Sequence, residues 1–311
     1  MVSSVLRQDG RTATRRRYGF DNADGARLAA FALVLCGALL VGAAHAAPIL
    51  PAVIGDHMVL PRGEQATIWG WSDPGAVVTV ALGKREQCDT ADDAGAWSVK
   101  LRPLREPGPH TLTVADATET ITVEDVLFGE VWICSGQSNM AWPVSRSKDA
   151  QQEIDAADYP RIRLFTVERK VADTPQDDCV GRWALCSPDT AMQFSAVAYF
   201  FGRKLHETLD VPVALINTAW GGSPAQAWTS RTTLDSAPEL IKILERWAEM
   251  IENYPALKER YAAKRGDWKQ AVKEAKAQGA PRPRRPRPPR GPGSHHTPAG
   301  LFNGMIAPLL D

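Results

Sequence analysis

The sequence has no excess charge of either sign. Its 311 residues include 36 basic and 36 acidic side chains, so the formal net charge is zero. The overall field of such a chain does not direct it to nucleic acid or to an anionic membrane. Hydrophobic residues make up 44% and charged residues 23%, which is the composition of a globular protein with one large or two medium domains.

Cysteine is scarce, and the spacings typical of metal sites are missing. The 5 cysteines include no Cys-x-x-Cys pair, and the 6 histidines include no His-x-x-x-His pair. The sequence therefore predicts no metal, and we expect no cofactor. Cys179 and Cys186 flank a glycine-containing turn and are the best candidates for a disulfide in an oxidising compartment.

Long apolar runs are missing except near the N-terminus. Residues 28–44 carry no charge, follow six arginines and end at Ala44-His45-Ala46. A basic segment, a short apolar segment and a small-x-small end are typical of a secretory signal peptide. We predict a signal peptide over residues 1–46 and a secreted or periplasmic protein. The alternative is an N-terminal membrane anchor, but residues 28–44 are short for a bilayer span.

Residues 48–125 read as short strands separated by turns. Residues 66–71 and 77–82 alternate between apolar and other side chains, and Asp73-Pro74-Gly75 has turn chemistry. This spacing predicts a small antiparallel β-sandwich domain. Its role is either structural or carbohydrate-facing, and the sequence favours the structural one.

After residue 126 the pattern changes to alternating strands and helices. Residues 126–134, 162–167 and 211–217 read as strands, and residues 194–209 have helical apolar spacing. Strand, helix and strand with short links indicate an α/β domain with a parallel sheet. Sites in such sheets lie beyond the carboxyl ends of the strands, which is where Gly136-Gln137-Ser138-Asn139 and residues 217–223 fall.

Residues 235–298 have the character of an insertion. Residues 238–278 are charged and helical, with an apolar stripe that consists of Leu240, Ile243, Leu244, Trp247, Met250 and Ile251. Residues 281–293 then alternate proline with arginine, which predicts an extended polyproline-type segment. A solvated linker is the favoured interpretation of this segment, and contact with a polyanion is the alternative.

Ser138 is the candidate nucleophile. A serine at a strand-to-helix turn exposes its hydroxyl near free backbone amides, which is the arrangement that acyl transfer needs. The Gly-x-Ser-x-Gly elbow of α/β-hydrolases does not fit, because Met140 stands at the second glycine position. The alternative role of Ser138 is that of a helix N-cap.

Several longer words resemble the sialate O-acetylesterase family of SGNH-type hydrolases. They are residues 56–60 (DHMVL), 68–71 (IWGW), 129–140 (GEVWICSGQSNM), 194–200 (FSAVAYF), 217–228 (NTAWGGSPAQAW) and 301–309 (LFNGMIAPL). The resemblance implies a flavodoxin-like SGNH domain beside a β-rich domain, and removal of O-acetyl groups from sialic acid or related sugars. It implies that Ser138 is the nucleophile.

The same resemblance implies where the oxyanion donors lie. The amide of Ser138 and that of Gly222, or of Gly221, match the family's donors, and Gln137 and Asn139 fall among the oxyanion and substrate-binding positions. A glycine pair lets the backbone approach a substrate closely, which is the favoured interpretation, and a simple strand-end turn is the alternative.

The family's later words are missing. No Trp-Tyr-Gln-Gly-Glu-Ser-Asn-like word and no late Asp and His of the family pattern occur. His57, His110, His206, His295 and His296 match no catalytic position of the family. We therefore expect an SGNH domain over residues 126–311 that is C-terminally incomplete, a fragment with weak turnover.

The competing hypothesis is a non-catalytic carbohydrate-binding or scaffold protein that stacks sugars on Trp142, Trp220 and Trp228. The expected partner is an acetylated carbohydrate. Nucleic acid and a stable membrane span after signal removal are not expected.

Overall fold

The structure, a computed structural model, describes residues 47–310, so the predicted signal peptide lies outside the described part. Strands dominate its first half and helices its second. The strands are β1 (Val59–Pro61), β2 (Ala66–Trp71), β3 (Val77–Leu82), β4 (Arg85–Thr90), β5 (Ala96–Leu101), β6 (His110–Ala115), β7 (Thr120–Cys134), β8 (Tyr159–Thr166), β9 (Trp183–Cys186) and β10 (Val213–Asn217). The helices are α1 (Ala150–Asp155), α2 (Pro188–Ala191), α3 (Ala196–Leu209), α4 (Arg231–Asp235), α5 (Pro238–Glu252), α6 (Tyr254–Ala277) and α7 (Gly300–Met305).

One mixed sheet runs through the described residues, in the order β4-β3-β6-β7-β10-β8-β9. The strands from β4 to β7 are antiparallel, whereas β7, β10 and β8 are parallel and β9 closes that side antiparallel to β8. The short strand β1 lies parallel to residues 127–129 of β7. The long strand β7 therefore belongs to both halves of the sheet, and Ser138 follows its carboxyl end.

The parallel half forms as the apolar patterns predict. Strand β10 is buried over Val213–Ile216 and pairs with both β7 and β8. Helix α3 covers one face, and its N-cap is Ser195, whose hydroxyl accepts a hydrogen bond from the amide of Ala198. Gly202 lets the helix approach closely, because a Cβ there would stand 2.5 Å from a methyl group of Leu215. The predicted helix and strands of this region are confirmed.

The predicted separate β-sandwich domain is not confirmed. Strands β2 and β5 form a two-stranded ribbon whose buried side chains face the antiparallel half of the sheet. The resulting core is continuous with that of the parallel half, since Ile68 and Val80 belong to the same cluster as Phe165 and Ile216. Strand β7 passes residue 125 without ending. The domain division at residues 125 and 126 stays a prediction.

A charged cluster joins the two halves of the sheet. The guanidinium of Arg163, on β8 and only 3% exposed, donates to both carboxylate oxygens of Asp125 at 2.6 and 3.1 Å. The Nδ1 atom of His57 donates to the same carboxylate at 2.7 Å. Burial alone would raise the pKa of Asp125, but hydrogen bonds and charge from Arg163 and His57 lower it below its ordinary value.

The insertion packs as a helical hairpin with an extended return. The apolar stripe of α5 is half-buried as predicted, and α6 follows after Asn253. The proline- and arginine-rich segment is mostly exposed, as the favoured interpretation of a solvated linker expects, but one face of it is held. It lies against α6, where the indole N–H of Trp268 donates to the carbonyl of Pro283 at 3.0 Å.

The predicted disulfide is not formed, because its two cysteines pack into different cores. Cys179 belongs to the larger hydrophobic cluster and Cys186 to the cluster under α3, on the other face of the sheet. Burial raises the pKa of Cys179 to about 11 and that of Cys186 to about 12, so both thiols stay protonated. No helix within residues 47–310 is long and apolar enough to cross a bilayer.

Candidate active site

Ser138 lies in the turn that follows strand β7. The strand ends at Cys134, and residues 138–141 form a turn that the amide of Ala141 closes by donating to the carbonyl of Gln137 at 2.9 Å. The expected helix does not begin there, since the next helical segment starts at Val144. Ser138 is exposed, as are its neighbours Gln137 and Asn139. The helix N-cap role is therefore excluded, and the hydroxyl is open to a substrate.

Two loops meet at this hydroxyl. The amide of Gly222 donates to Ser138 Oγ at 3.2 Å. The amide of Trp220 donates to the carbonyl of Gly136 at 3.0 Å, which ties the turn after β10 to the turn after β7. The neighbouring parallel strands thus bring together two words that stand more than eighty residues apart in the sequence.

Gln137 occupies the position expected of a substrate carbonyl. Its Oε1 atom accepts hydrogen bonds from both the amide and the hydroxyl of Ser138, at 2.8 and 2.7 Å. A carboxamide oxygen is an acceptor of the same kind as an ester carbonyl oxygen. The amide of Ser138 therefore already holds such an oxygen, at the distance that an oxyanion donor requires.

The two glycines of the second loop lie beside Ser138. Gly222 has φ of +81°, a backbone conformation that residues other than glycine rarely adopt. At Gly221 a Cβ would lie 3.6 Å from Ser138 Oγ, which is ordinary contact. Of the two glycines, only Gly222 contacts the hydroxyl of Ser138 through its amide. This geometry favours Gly222 over Gly221 as the second donor.

His295 stands next to this site, at a position that no sequence motif predicted. Its Nε2 atom is 3.7 Å from the point where a Cβ of Gly222 would stand. Its ring stacks on Trp220, with the centroids 5.3 Å apart and the planes within 15°. The guanidinium of Arg169 lies 5.6 Å from the same indole centroid. The wall of the site beside Gly222 is therefore aromatic and basic.

His296 lies against His295, with the ring centroids 4.3 Å apart, whereas the three remaining histidines lie elsewhere. His57 is bound to Asp125, which is nine residues before the end of β7 and so roughly 30 Å along the strand from that end. His206 donates to the carbonyl of Val211 at 2.6 Å, at the end of helix α3. His110 contacts the ring of Phe128. Within residues 47–310, no histidine held by a carboxylate stands beside Ser138.

The three tryptophans proposed as stacking surfaces differ in their surroundings. Trp142 is 48% exposed and follows the Ser138 turn. Trp220 is covered in part by His295. Trp228 is half-buried and donates from its indole nitrogen to the hydroxyl of Ser223 at 2.7 Å. Trp142 and Trp228 both donate from the indole nitrogen to a protein oxygen, in Trp142 to the carbonyl of Arg146 at 2.9 Å, and Trp142 is the more exposed of the two.

Comparison with known proteins agrees with this geometry. The family model described as carbohydrate esterase, sialic acid-specific acetylesterase, matches residues 128–263. The resemblance to the sialate O-acetylesterase family is confirmed. The sialate O-acetylesterase of Mus musculus is 36% identical over 201 residues, which cover 58% of this chain and 37% of that protein. The sialate O-acetylesterase of Homo sapiens is 35% identical over 203 residues, 58% of this chain and 38% of that protein.

A solved structure supports the α/β fold. The chain superposes on a carbohydrate acetylesterase from Xanthomonas citri with a TM-score of 0.64 and 28% identity, over 84% of this chain and 48% of that one. The chain spans less than half the length of each of these sialate O-acetylesterases and of the Xanthomonas protein.

Proposed function

We propose that this protein is a serine esterase that removes O-acetyl groups from sialic acid or related acetylated sugars. The observation that carries the proposal is the contact of Ser138 Oγ with the amide of Gly222, at the carboxyl edge of parallel strands. The resemblance to sialate O-acetylesterases supports the substrate class, and the likeness in fold supports a flavodoxin-like SGNH arrangement of the parallel half.

The reaction would pass through an acetyl-enzyme. Ser138 Oγ attacks the acetyl carbonyl, which enters where the carboxamide oxygen of Gln137 now lies. The amides of Ser138 and Gly222 donate to the oxygen that becomes negative. The C–O bond to the sugar breaks, the sugar oxygen leaves with a proton, and water then releases acetate from Ser138. Gln137 and Asn139 line the entrance to this position.

Residues 47–310 do not supply a base that is oriented toward Ser138. His295 is beside Gly222 but stacks on Trp220, and the carboxylate-held His57 is remote. A serine hydroxyl without a base is a weak nucleophile. We therefore propose that an Asp and a His outside the described residues complete the enzyme, and that these residues alone turn over slowly.

The deciding experiment measures the covalent labelling of Ser138 and the release of acetate. With imidazole added as the base, wild-type protein should react with a fluorophosphonate probe, and Ser138→Ala should not. Ser236→Ala, a change at an exposed serine in a distant helical turn, is the matched control and should label like the wild type. Added imidazole should raise acetate release from an O-acetylated sialic acid in the wild type above the rate with Ser138→Ala. Equal labelling of Ser138→Ala and wild type contradicts the proposal.

A second candidate function is non-catalytic carbohydrate binding. A cavity of about 640 Å³ on the β2–β5 ribbon is lined by Trp69, Trp71 and Trp97, together with Asp89 and Asp92. Aromatic faces and carboxylates are suited to sugar rings and hydroxyl groups. Binding of a neutral N-acetylglucosamine oligomer by Ser138→Ala protein, lost in Trp71→Ala, would favour this function. No binding by calorimetry would exclude it.

We also propose that the protein is exported. The basic segment and the apolar run before Ala44-His45-Ala46 are the support. N-terminal sequencing of secreted or periplasmic material should begin near Ala47, whereas intact Met1 in cytosolic protein would exclude export.

A further inference from the structure

The proline- and arginine-rich return of the insertion is a regular helix of the polyproline type. Pro283, Pro286 and Pro289 are half-buried, and every residue between them is exposed. A period of three residues is that of polyproline II. One face of this segment, residues 281–290, therefore packs on the protein, and the other faces point to solvent.

Helix α6 holds the segment at both ends. At one end, Trp268 binds the carbonyl of Pro283, and the guanidinium groups of Arg282 and Arg285 lie 5.3 and 5.9 Å from its ring centroid. At the other end, the ring of Tyr254 fills the space beside Gly291, where a Cβ would meet it at 2.2 Å.

The lengths of the two elements agree. Residues 254 and 268 are roughly 21 Å apart along an α-helix. Residues 283 and 291 are roughly 25 Å apart along polyproline II. The segment is therefore held in an extended conformation along α6 before a ligand binds.

The exposed arginines of this segment lack acidic partners. Among the described residues, no carboxylate lies within ion-pair distance of Arg282, Arg284, Arg285, Arg287 or Arg290. Arg284, Arg287 and Arg290 recur every third residue, so they follow one line with a spacing of roughly 9 Å. We call these three residues the arginine line. A rigid row of uncompensated positive charge favours an extended anion.

The arginine line leads to the candidate nucleophile. Arg290, at its end, lines a cavity of about 330 Å³ together with Arg246 and His296. Burial, followed by the charges of Arg290 and His295, lowers the pKa of His296 below its ordinary value. His295 then contacts the Gly222 loop, whose amide binds Ser138. A row of arginine and histidine side chains thus runs from the arginine line to the candidate active site.

We propose that the arginine line binds an acidic polysaccharide and directs its acetylated units to Ser138. This inference rests on the proposed function and adds the form of the substrate, a polymer with repeated carboxylates. Arginine pairs with carboxylates through parallel hydrogen bonds. Nucleic acid fits less well, because Arg282 and Arg285 cover the Trp268 ring on which a base would stack.

Binding of a fluorescent polysialic acid to Ser138→Ala protein tests the inference, with anisotropy as the measurement. The triple change Arg284→Gln, Arg287→Gln and Arg290→Gln should raise the Kd by roughly tenfold or more. The matched control, Lys84→Gln, Lys100→Gln and Arg105→Gln, removes three exposed charges from the β-rich part and should leave the Kd within about twofold. A charge-keeping triple change to lysine should weaken binding less than the glutamine change, because lysine keeps the charge but loses the parallel hydrogen bonds.

Three results would overturn the inference. They are equal Kd values for the glutamine triple variant and its control, affinity that does not fall between about 50 and 200 mM salt, and binding of single-stranded DNA or phosphatidylglycerol vesicles at least as tight as that of polysialic acid. Fluorophosphonate labelling separates the two proposals. If Ser138 is labelled but the polymer does not bind, only the proposal about the arginine line is overturned. If the polymer binds but Ser138 is not labelled, the proposed esterase activity and the delivery of the polymer to Ser138 are overturned.

Discussion

At the scale of single residues, the backbone conformation of Gly222 determines the direction of its amide. Its φ of +81° turns its amide toward Ser138 Oγ. A β-branched side chain is strained in this conformation and would move the amide away. We expect Gly222→Val to lower the fluorophosphonate labelling rate of Ser138 by about 100- to 1,000-fold, which is the usual effect of losing one oxyanion donor.

Gly75→Val is the matched control for backbone strain. Gly75 has φ of +80°, and a Cβ there would meet no atom within 4 Å. It should lose stability much as Gly222→Val does but label at the wild-type rate. Similar labelling losses in both variants would show that strain, and not the lost donor, explains the effect.

The contact between Ser138 and the Gly222 loop was predictable from sequence, but the basic wall beside them was not. Ser138 and Gly222 lie in turns directly after buried strands, so strand order alone brings them together. His295 follows an irregular segment, and its position depends on how α7 anchors that segment. Asn303 of α7, for example, donates to the carbonyl of Ala172 at 3.2 Å. Packing of this kind leaves no periodic trace in the sequence.

At the scale of elements, Asp125 connects strand β7 to strand β8 through Arg163. Asp125→Asn would leave a guanidinium that is 4% exposed without its charge partner. We expect a loss of about 3 kcal/mol in the free energy of unfolding, measured by urea denaturation at neutral pH. Asp210→Asn removes a similar Asp–Arg contact at the surface, where Asp210 is 90% exposed, and should cost less than about 1 kcal/mol.

The same pair sets a dependence on pH. Because the pKa of Asp125 is lowered in the folded state, its stabilising effect is present above the unfolded pKa and is lost as pH falls through the folded pKa. The stability difference between wild type and Asp125→Asn should therefore shrink on acidification. A difference that stays constant from neutral to strongly acidic pH would contradict this account of the cluster.

The helices and parallel strands followed from periodicity. Helix α3 has a clear apolar pattern and a capping serine, and strand β10 is a buried apolar run. Strand β7 continues through the polar pair Glu124 and Asp125, where the sequence pattern changes, so the strand is longer than the pattern indicates. The docking of the proline- and arginine-rich segment depends on Trp268 and Tyr254, two aromatic residues on a largely exposed helix.

At the scale of the whole molecule, the sheet has one apolar edge that nothing in residues 47–310 covers. Strand β7 pairs with β10 along residues 130–134, and no described strand pairs with its other side there. Val131, Trp132 and Ile133 are 36%, 42% and 41% exposed, and Trp132 contacts the exposed ring of Phe201. An open strand edge with apolar side chains is a template for pairing with another chain.

We therefore expect the purified protein to self-associate through this edge. Ile133→Lys places a charge on the open strand, where pairing would bury it, and should weaken association by at least about tenfold, or ~1.4 kcal/mol. Val77→Lys makes the same change at another apolar residue, 57% exposed at the start of β3, and should not alter association. Sedimentation velocity over a concentration series measures both variants. Equal self-association of wild type and Ile133→Lys would mean that contacts elsewhere on the molecule hold the copies together, because a lysine at residue 133 is incompatible with a paired apolar edge.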